Sequence, residues 1–439
     1  PESKYYMETH KSLLIRNASL VLADRLTRAD LLIENGRIAR IEPSIPPREN
    51  DEVVDAAGKY ILPGFVDIHN HGARGFDCSL GIWQDERKAF ALEAGSYRQG
   101  LAEALAYYRQ NGVTRVFLTS LAAPLDDLSF AFGQIDAYCR EEQPLHTMIG
   151  GINLEGTFLK LPEYAGAQSP DYFYPPEEAT MKRLQAAAGG RIRIVNLPPE
   201  HGPGGRALIR ALHGQGVLVA AGHTGAEADE FQEAVAAGTR LGVHFFNGPA
   251  RSSSKSFHDG GAEEAMLRSD AVSLELIVDG YHVHPAYVRD TITRKGVERI
   301  VLITDSMFVN GCDDIHTFEL CGVPGAVSAN RRYLQVTDRA DTLFGSVLTS
   351  RRGFENVLNW LTRAMTGIWY RRHEALPLNE ALVAAARMAA TNPARLAGLD
   401  DTGSVAPGNW ADLLIAAIEQ KEAGCEVSLE QVLVRGKWS

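Results

Sequence analysis

Short alternating runs open the chain. Ser12–Ile15, Ser19–Leu22, Asp30–Glu34, Arg37–Ile41 and Lys59–Leu62 are strand-like and separated by turn formers, and Asn35-Gly36 is a strong hairpin signal. The C-terminal stretch has the same texture at Gly403–Ser404, Ala411–Ile415 and Gln431–Arg435. Two β-rich ends flanking a long middle predict one small β-sandwich domain built from residues 1–62 and 402–439.

The middle, residues 63–401, has another pattern. Apolar runs of strand length lie at Phe65–Asn70, Thr114–Thr119, Met148–Leu154, Arg193–Leu197, Val217–Ala221, Gly242–Phe246, Ser273–Val278 and Arg299–Thr304. Between them lie helical patterns: one Ala-rich and ending at Gln110, then Asp126–Arg140, Glu177–Ala188, Gly205–Gly214, Ala226–Ala237, Ala262–Ser269 and Pro285–Lys295. Two more helices are predicted at Ser350–Met365 and Asn379–Ala390. Continuous apolar strands alternating with helices imply a parallel sheet covered on both faces. Eight such units predict an α/β fold, a TIM (β/α)8 barrel. An open, doubly wound sheet is the alternative, disfavoured by the absence of a Gly-rich dinucleotide turn.

Composition narrows the function classes. Of the 439 residues, 45% are hydrophobic and 23% charged, which excludes disorder as the dominant state. Forty-four basic against 55 acidic residues give −11, spread without long single-sign runs, so nucleic acid is not the expected partner. No run approaches 18 apolar residues, so no membrane span is expected. Pro1–His10 lacks the apolar region of a secretory signal, and Met7 is a candidate native start. Cys78, Cys139, Cys312, Cys321 and Cys425 form no CxxC pair, which fits reduced thiols in the cytoplasm.

The chemistry-bearing residues sit at the C-terminal ends of the predicted barrel strands. The first strand ends in His69-Asn70-His71, the third in Glu155, the fifth in His223 and the sixth in His244, with Asn247 just beyond. The seventh leads to Asp279 and His282, and the eighth ends in Asp305. In a parallel barrel all these ends open on one rim, where active sites are built. Converging imidazoles and carboxylates are the ligand set of zinc, and also of iron, manganese or cobalt. Residues two apart on a strand share a face, so His69 and His71 can hold one ion together.

These residues lie in a recognisable series of motifs. Leu62–Gly72 resembles the entry strand of the amidohydrolase superfamily. Asn153–Phe158, Ala165–Gln168, Leu197–Glu200, Gly222–Thr224, His244–Asn247, Val278–Val283, Ile303–Asp305 and Gly345–Thr349 are similar, in order, to the N-acetylglucosamine-6-phosphate deacetylase family. Thr391–Arg395, Gly403–Gly408 and Ala411–Leu413 extend the likeness over nearly the whole chain. The resemblance implies that Glu155, His223 and His244 hold a catalytic divalent metal. His69 and His71 would hold a second ion, with Glu155 bridging, so that each subunit carries one or two, zinc foremost. Asp305 would be the general base, and His282 would contact substrate and polarise the acetyl carbonyl. Asn247 and the Gly248 amide would approach the sugar phosphate. The implied reaction is deacetylation of a small, phosphorylated N-acetyl amino sugar by a homodimer.

Two positions depart from that family's pattern. Its phosphate-binding Arg has no clear match within 248–260; Arg251, Lys255 and His258 are the candidate substitutes. Asn153 stands where many members carry His. The segment Phe308–Leu343, with Cys312 and Cys321, is a candidate lid or specificity insertion. The departures leave open the galacto epimer, an unphosphorylated N-acetyl sugar or another small amide as substrate. A deaminase or cyclic amidase is more remote, and so is a non-catalytic scaffold, which should have lost its ligands.

Overall fold

Eight parallel strands alternate with helices through the middle of the chain. They are β1 (Phe65–Asn70), β2 (Val113–Ser120), β3 (Ile149–Leu154), β4 (Ile192–Asn196), β5 (Leu218–Ala221), β6 (Thr239–Gly242), β7 (Ser273–Ile277) and β8 (Ile300–Ile303). Each pairs with its neighbour in chain order. The ring closes where Asn70 bridges Ser306, with the Asp305 amide donating to the His69 carbonyl at 2.9 Å and the His71 amide to the Ser306 carbonyl at 2.9 Å. The result, in a computed structural model describing residues 12–250, 260–339, 341–422 and 424–438, is a TIM barrel.

Burial explains the composition of these strands. Every residue of β2, β7 and β8 is buried, because one face fills the barrel and the other meets the helices. The helices are correspondingly one-sided. In α1 (Ala94–Gln110) Tyr97, Leu101, Ala104, Leu105 and Tyr108 form a single buried stripe. Six more follow the next strands: α2 (Leu125–Arg140), α3 (Glu178–Ala187), α4 (Gly202–Gly214), α5 (Ala228–Ala237), α6 (Ala262–Arg268) and α7 (Pro285–Lys295).

The small β-sandwich domain is assembled from both ends of the chain. Its sheet runs in the order Lys437–Trp438, Gly424–Val434, Leu413–Lys421, Tyr60–Pro63, Leu13–Val21, Leu26–Glu34, Arg37–Glu42. Glu52–Asp55 pairs with the first half of Leu13–Val21, and Tyr60–Ile61 with its second half. The break between the halves falls at a bulge beside Asn17, whose φ is +61°. Leu20, Leu31 and Ile33 from one end and Leu413, Ile415 and Leu433 from the other share a single core.

Several elements differ from their sequence pattern. Ser12–Ile15 and Ser19–Leu22 form one bulged strand, and Gly403–Ser404 is not a strand. The sixth barrel strand is Thr239–Gly242, three residues earlier than the apolar run Gly242–Phe246 suggests. That run turns sharply, with φ of +24° at His244 and +77° at Phe246. Residues 72–91, expected to begin a helix, instead form four short antiparallel strands. The segment after β8 carries another small sheet, Thr317–Leu320, Val323–Val327 and Leu334–Val336. Trp83, Phe90, Phe308, Phe318 and Phe344 join these two insertions, with ring centroids 4.9 to 5.4 Å apart. Met307, Leu343 and Phe344 of the second insertion line the cavity on the catalytic rim.

Candidate metal centre and active site

Backbone strain marks the rim. His223, His244 and Asp305, each just past the end of a barrel strand, have φ of +50°, +24° and +50°. This left-handed region is uncommon for residues with a Cβ, and such strain clusters where a side chain must be aimed. Here it turns His223 and His244 towards Glu155 and Asp305 towards His69 and His71.

Glu155 is the hub. Its Oε1 lies 3.0 Å from His244 Nε2, 3.3 Å from His223 Nε2 and 3.5 Å from His69 Nε2. Its Oε2 lies 3.4 Å from His71 Nε2 and accepts from Gln168 Nε2 at 2.6 Å. Asp305 Oδ1 stands on the other side, 3.2 Å from His71 Nε2 and 3.6 Å from His69 Nε2. Two triads therefore share one carboxylate: His69, His71 and Glu155, and Glu155, His223 and His244. Within each triad the ligand atoms lie within 4.8 Å of one another.

The outer nitrogens fix the tautomers. His71 Nδ1 meets the Thr119 carbonyl at 3.1 Å, His223 Nδ1 the Tyr164 carbonyl at 2.8 Å, and His244 Nδ1 the Asn247 carbonyl. A carbonyl only accepts, so each Nδ1 carries its proton and each Nε2 presents a lone pair inwards. His69 Nδ1 lies 3.0 Å from Glu275 Oε2, which also accepts the His244 amide at 3.1 Å.

Converging lone pairs around a carboxylate call for a cation. His69 Nε2 is fully buried with no hydrogen-bond partner among the described residues. Burial favours its neutral imidazole, yet Glu275 and Glu155 outweigh this and raise its pKa well above the usual value. Burial likewise opposes the ionisation of Glu155, but His69, His223 and His244 hold its carboxyl well below the usual range. The donor set, its outer partners and the orphaned nitrogen fit a divalent metal.

The remaining expected residues line the same cavity, about 520 Å³ in volume. His282, Asn247 and Gly248 are on its wall, as are Asp305 and four of the five candidate ligands; His69 lies behind them. His282 Nδ1 is held by Asp279 Oδ2 at 2.7 Å. Burial lowers its basicity, but Asp279 and Asp305 raise its pKa above the ordinary value. Asp305 is buried too, and contact with His71 and His69 nevertheless keeps its carboxyl below the usual range. Asn247 Nδ2 is buried without a partner among the described residues. Arg251, Lys255 and His258 lie outside the described residues. Asn153 of β3 donates to the Ile68 carbonyl of β1 at 3.0 Å, a bond between strands separated by β2.

Two supporting residues carried no assigned role in the sequence. Glu275 stands alone among apolar neighbours in Ser273–Ile277 and is fully buried, so a lone carboxylate in a barrel strand was its signal. Gln168 comes from the loop after β3 and had no periodic signal of its own.

Comparison with known proteins agrees with this geometry. The amidohydrolase family profile matches residues 60–439. N-acetylglucosamine-6-phosphate deacetylase of Lysinibacillus sphaericus is 30% identical over 349 residues, 79% of this chain and 83% of that protein. This chain belongs to the N-acetylglucosamine-6-phosphate deacetylase family of amidohydrolases. Another relative, N-acetylgalactosamine-6-phosphate deacetylase of Escherichia coli O157:H7, is 30% identical over 386 residues, 88% of this chain and 89% of that one. Among solved structures, a mutant of the Mycobacterium smegmatis N-acetyl-D-glucosamine-6-phosphate deacetylase, in complex with N-acetyl-D-glucosamine-6-phosphate, superposes with a TM-score of 0.78. It is 29% identical, and the match covers 98% of this chain and 99% of that one. As a family member the chain is a metal-dependent hydrolase, and its cofactor is a divalent metal. No helix among the described residues is long and apolar enough to cross a membrane.

Proposed function

We propose that this deacetylase hydrolyses the acetamide of N-acetylglucosamine 6-phosphate to the amino sugar phosphate and acetate. The observation that carries the proposal is the pairing of a carboxylate base, Asp305, with a shared Glu155 hub inside one cavity. Glu155, His223 and His244 would hold the catalytic metal, and His69 and His71 together with Glu155 would hold a second ion. Zinc suits this nitrogen and oxygen set. A divalent cation bound there lowers the pKa of a water towards about 7 and polarises an acyl oxygen.

The chain's own residues do the rest. Asp305, kept ionised, accepts one proton from the attacking water. His282, its pKa raised despite burial by Asp279 and Asp305, would carry protons on both nitrogens. With Nδ1–H held by Asp279, it donates Nε2–H to the oxygen that gains charge as the acyl carbon becomes tetrahedral. Asp305 then returns the proton to the amide nitrogen, the C–N bond breaks, and acetate and the free amine separate. Asn247, whose Nδ2 has no partner among the described residues, and the Gly248 amide receive the phosphate end.

The family's homodimer is supported by the exposed Ile368 and Trp369, the latter 5.9 Å from Phe246 on the cavity wall. Five free cysteines suit the cytoplasm. The division into a sandwich of residues 1–62 and 402–439 and a barrel of 63–401 is supported by the strand order among the described residues.

The galactosamine-6-phosphate deacetylase among the relatives favours one second reading, the galacto epimer. Assaying N-acetylglucosamine, N-acetylgalactosamine and their 6-phosphates side by side decides it. The highest kcat/KM should fall on N-acetylglucosamine 6-phosphate; a clear preference for any of the other three would overturn the substrate assignment.

A further inference from the structure

At the opposite end of the barrel from the catalytic rim, where β4 to β7 begin, lies a second cavity of about 330 Å³. Arg193, Arg240, Arg299 and Arg395 converge on it together with His213, and no Asp or Glu lines it. The concentration of positive charge runs against a chain whose net charge is −11.

Three of these guanidinium groups are held by backbone, not by carboxylates. Arg193 Nη2 donates to the Ala397 carbonyl at 3.3 Å, and Arg395 Nη2 to the Glu298 carbonyl at 2.7 Å. Arg240 Nη1 donates to the Val235 and Thr239 carbonyls, both at 2.8 Å. Among the described residues none of the four forms an ion pair. Nearby Arg387, by contrast, pairs with Glu298 at 2.9 Å, and Arg206 with Glu233 at 2.8 Å. Like charges gathered around one cavity repel, and an anion placed among them relieves that repulsion. The pinned planar forks leave further N–H donors free, in the geometry that suits phosphate oxygens.

The apolar part of the wall is also specific. Val217, Leu218 and Ala397 are buried residues on the same cavity, so part of its surface suits a carbon skeleton as well as an anion. We propose that this cavity is a second, non-catalytic binding site for a small phosphomonoester, gripped by Arg193, Arg240, Arg299 and Arg395. It shares no residue with the rim cavity, so its occupancy does not depend on the substrate bound there.

Calorimetric titration of the metal-loaded protein with inorganic phosphate, glucose 6-phosphate and glucose tests the proposal. Glucose 6-phosphate should fill two classes of site, glucose should leave the second class empty, and inorganic phosphate should bind it more weakly than the sugar phosphate. Arg299 and Arg395 are exposed, so Arg299→Gln with Arg395→Gln should fold normally. That double variant should weaken the second class by about tenfold or more, while deacetylation in phosphate-free buffer keeps its kcat/KM. Arg240→Lys, which keeps the charge and loses the fork, should weaken it by a smaller factor. No binding of glucose 6-phosphate outside the rim cavity of the unmodified protein, unchanged binding in the double variant, or equal heats from chloride at matched ionic strength would each overturn the proposal.

Discussion

Asp305 illustrates how one residue's position suits it to the proposed role. Its amide is fixed to the His69 carbonyl at 2.9 Å and its carbonyl accepts from Ser346 at 2.8 Å, so its left-handed backbone is clamped on both sides. The carboxylate is thereby presented beside His71 and outside the two ligand triads. Asp305→Asn should therefore retain its metal and lose turnover by about 10² to 10⁴-fold, measured as acetate release alongside metal content. Glu275 acts through its neighbours, orienting His69 by its ring and His244 by its backbone. Glu275→Gln should weaken metal affinity by about 10 to 100-fold in competition with a chelator, before any comparable loss of stability. The placement of Glu155, His223, Asp279 and His282 was legible because each follows an apolar run at a strand end, and that of His244 because it interrupts one. Glu275 was less so, because it lies within such a run and its function depends on which face of β7 looks inwards.

The elements were legible in proportion to how directly hydrophobicity reports backbone shape. β1 and α7 fall where the pattern places them, since an apolar run of strand length and a Pro-initiated helix leave little freedom. Val243–Phe246 is equally apolar but is not a strand. Val243 and Phe245 are buried, while positive φ at His244 and Phe246 redirects the chain, so burial and extension part company there. The small strands of residues 72–91 depend on contact with the insertion after β8, a partner distant in sequence. In the sandwich, Asp30 plays a comparable organising role. Its carboxylate accepts the Asn17 amide at the bulge and the Ile45 amide, both at 2.9 Å. Burial opposes its ionisation, but these amides and Arg16 lower its pKa below the ordinary carboxyl value. A depressed folded-state pKa contributes stability above the unfolded value of about 3.9 and loses it as pH falls through the folded one. Asp30→Asn should accordingly be less stable than the parent at pH 7, with the gap narrowing below about pH 4 in denaturant titrations.

Across the whole molecule, the barrel and the sandwich meet at Asp412. Its carboxylate accepts from Thr402 Oγ1 at 2.8 Å and the Arg435 amide at 2.8 Å, and pairs with Arg115 of β2 at 2.9 Å. Both partners of that ion pair are buried, so removing one strands the other's charge. Asp412→Ala should cost about 3 to 5 kcal/mol in denaturant unfolding, whereas a surface pair such as Arg25 with Asp24 should cost no more than about 1 kcal/mol. The same joint, with Tyr60–Pro63 paired to Leu413–Ala416, carries β1, with His69 in it and His71 just beyond, into the ring. The sequence pattern showed that both ends are β-rich. It could not show their register, which depends on pairing across some 350 residues. The central claim is that the carboxylate and imidazoles gathered at the rim work by holding a divalent cation. Metal analysis of the protein, titrated from chelated to fully loaded while acetate release from N-acetylglucosamine 6-phosphate is followed, tests it most directly. Release should be absent without metal and rise in step with occupancy; undiminished release from metal-free protein, or a fully loaded protein releasing none from either 6-phosphate epimer, would contradict it.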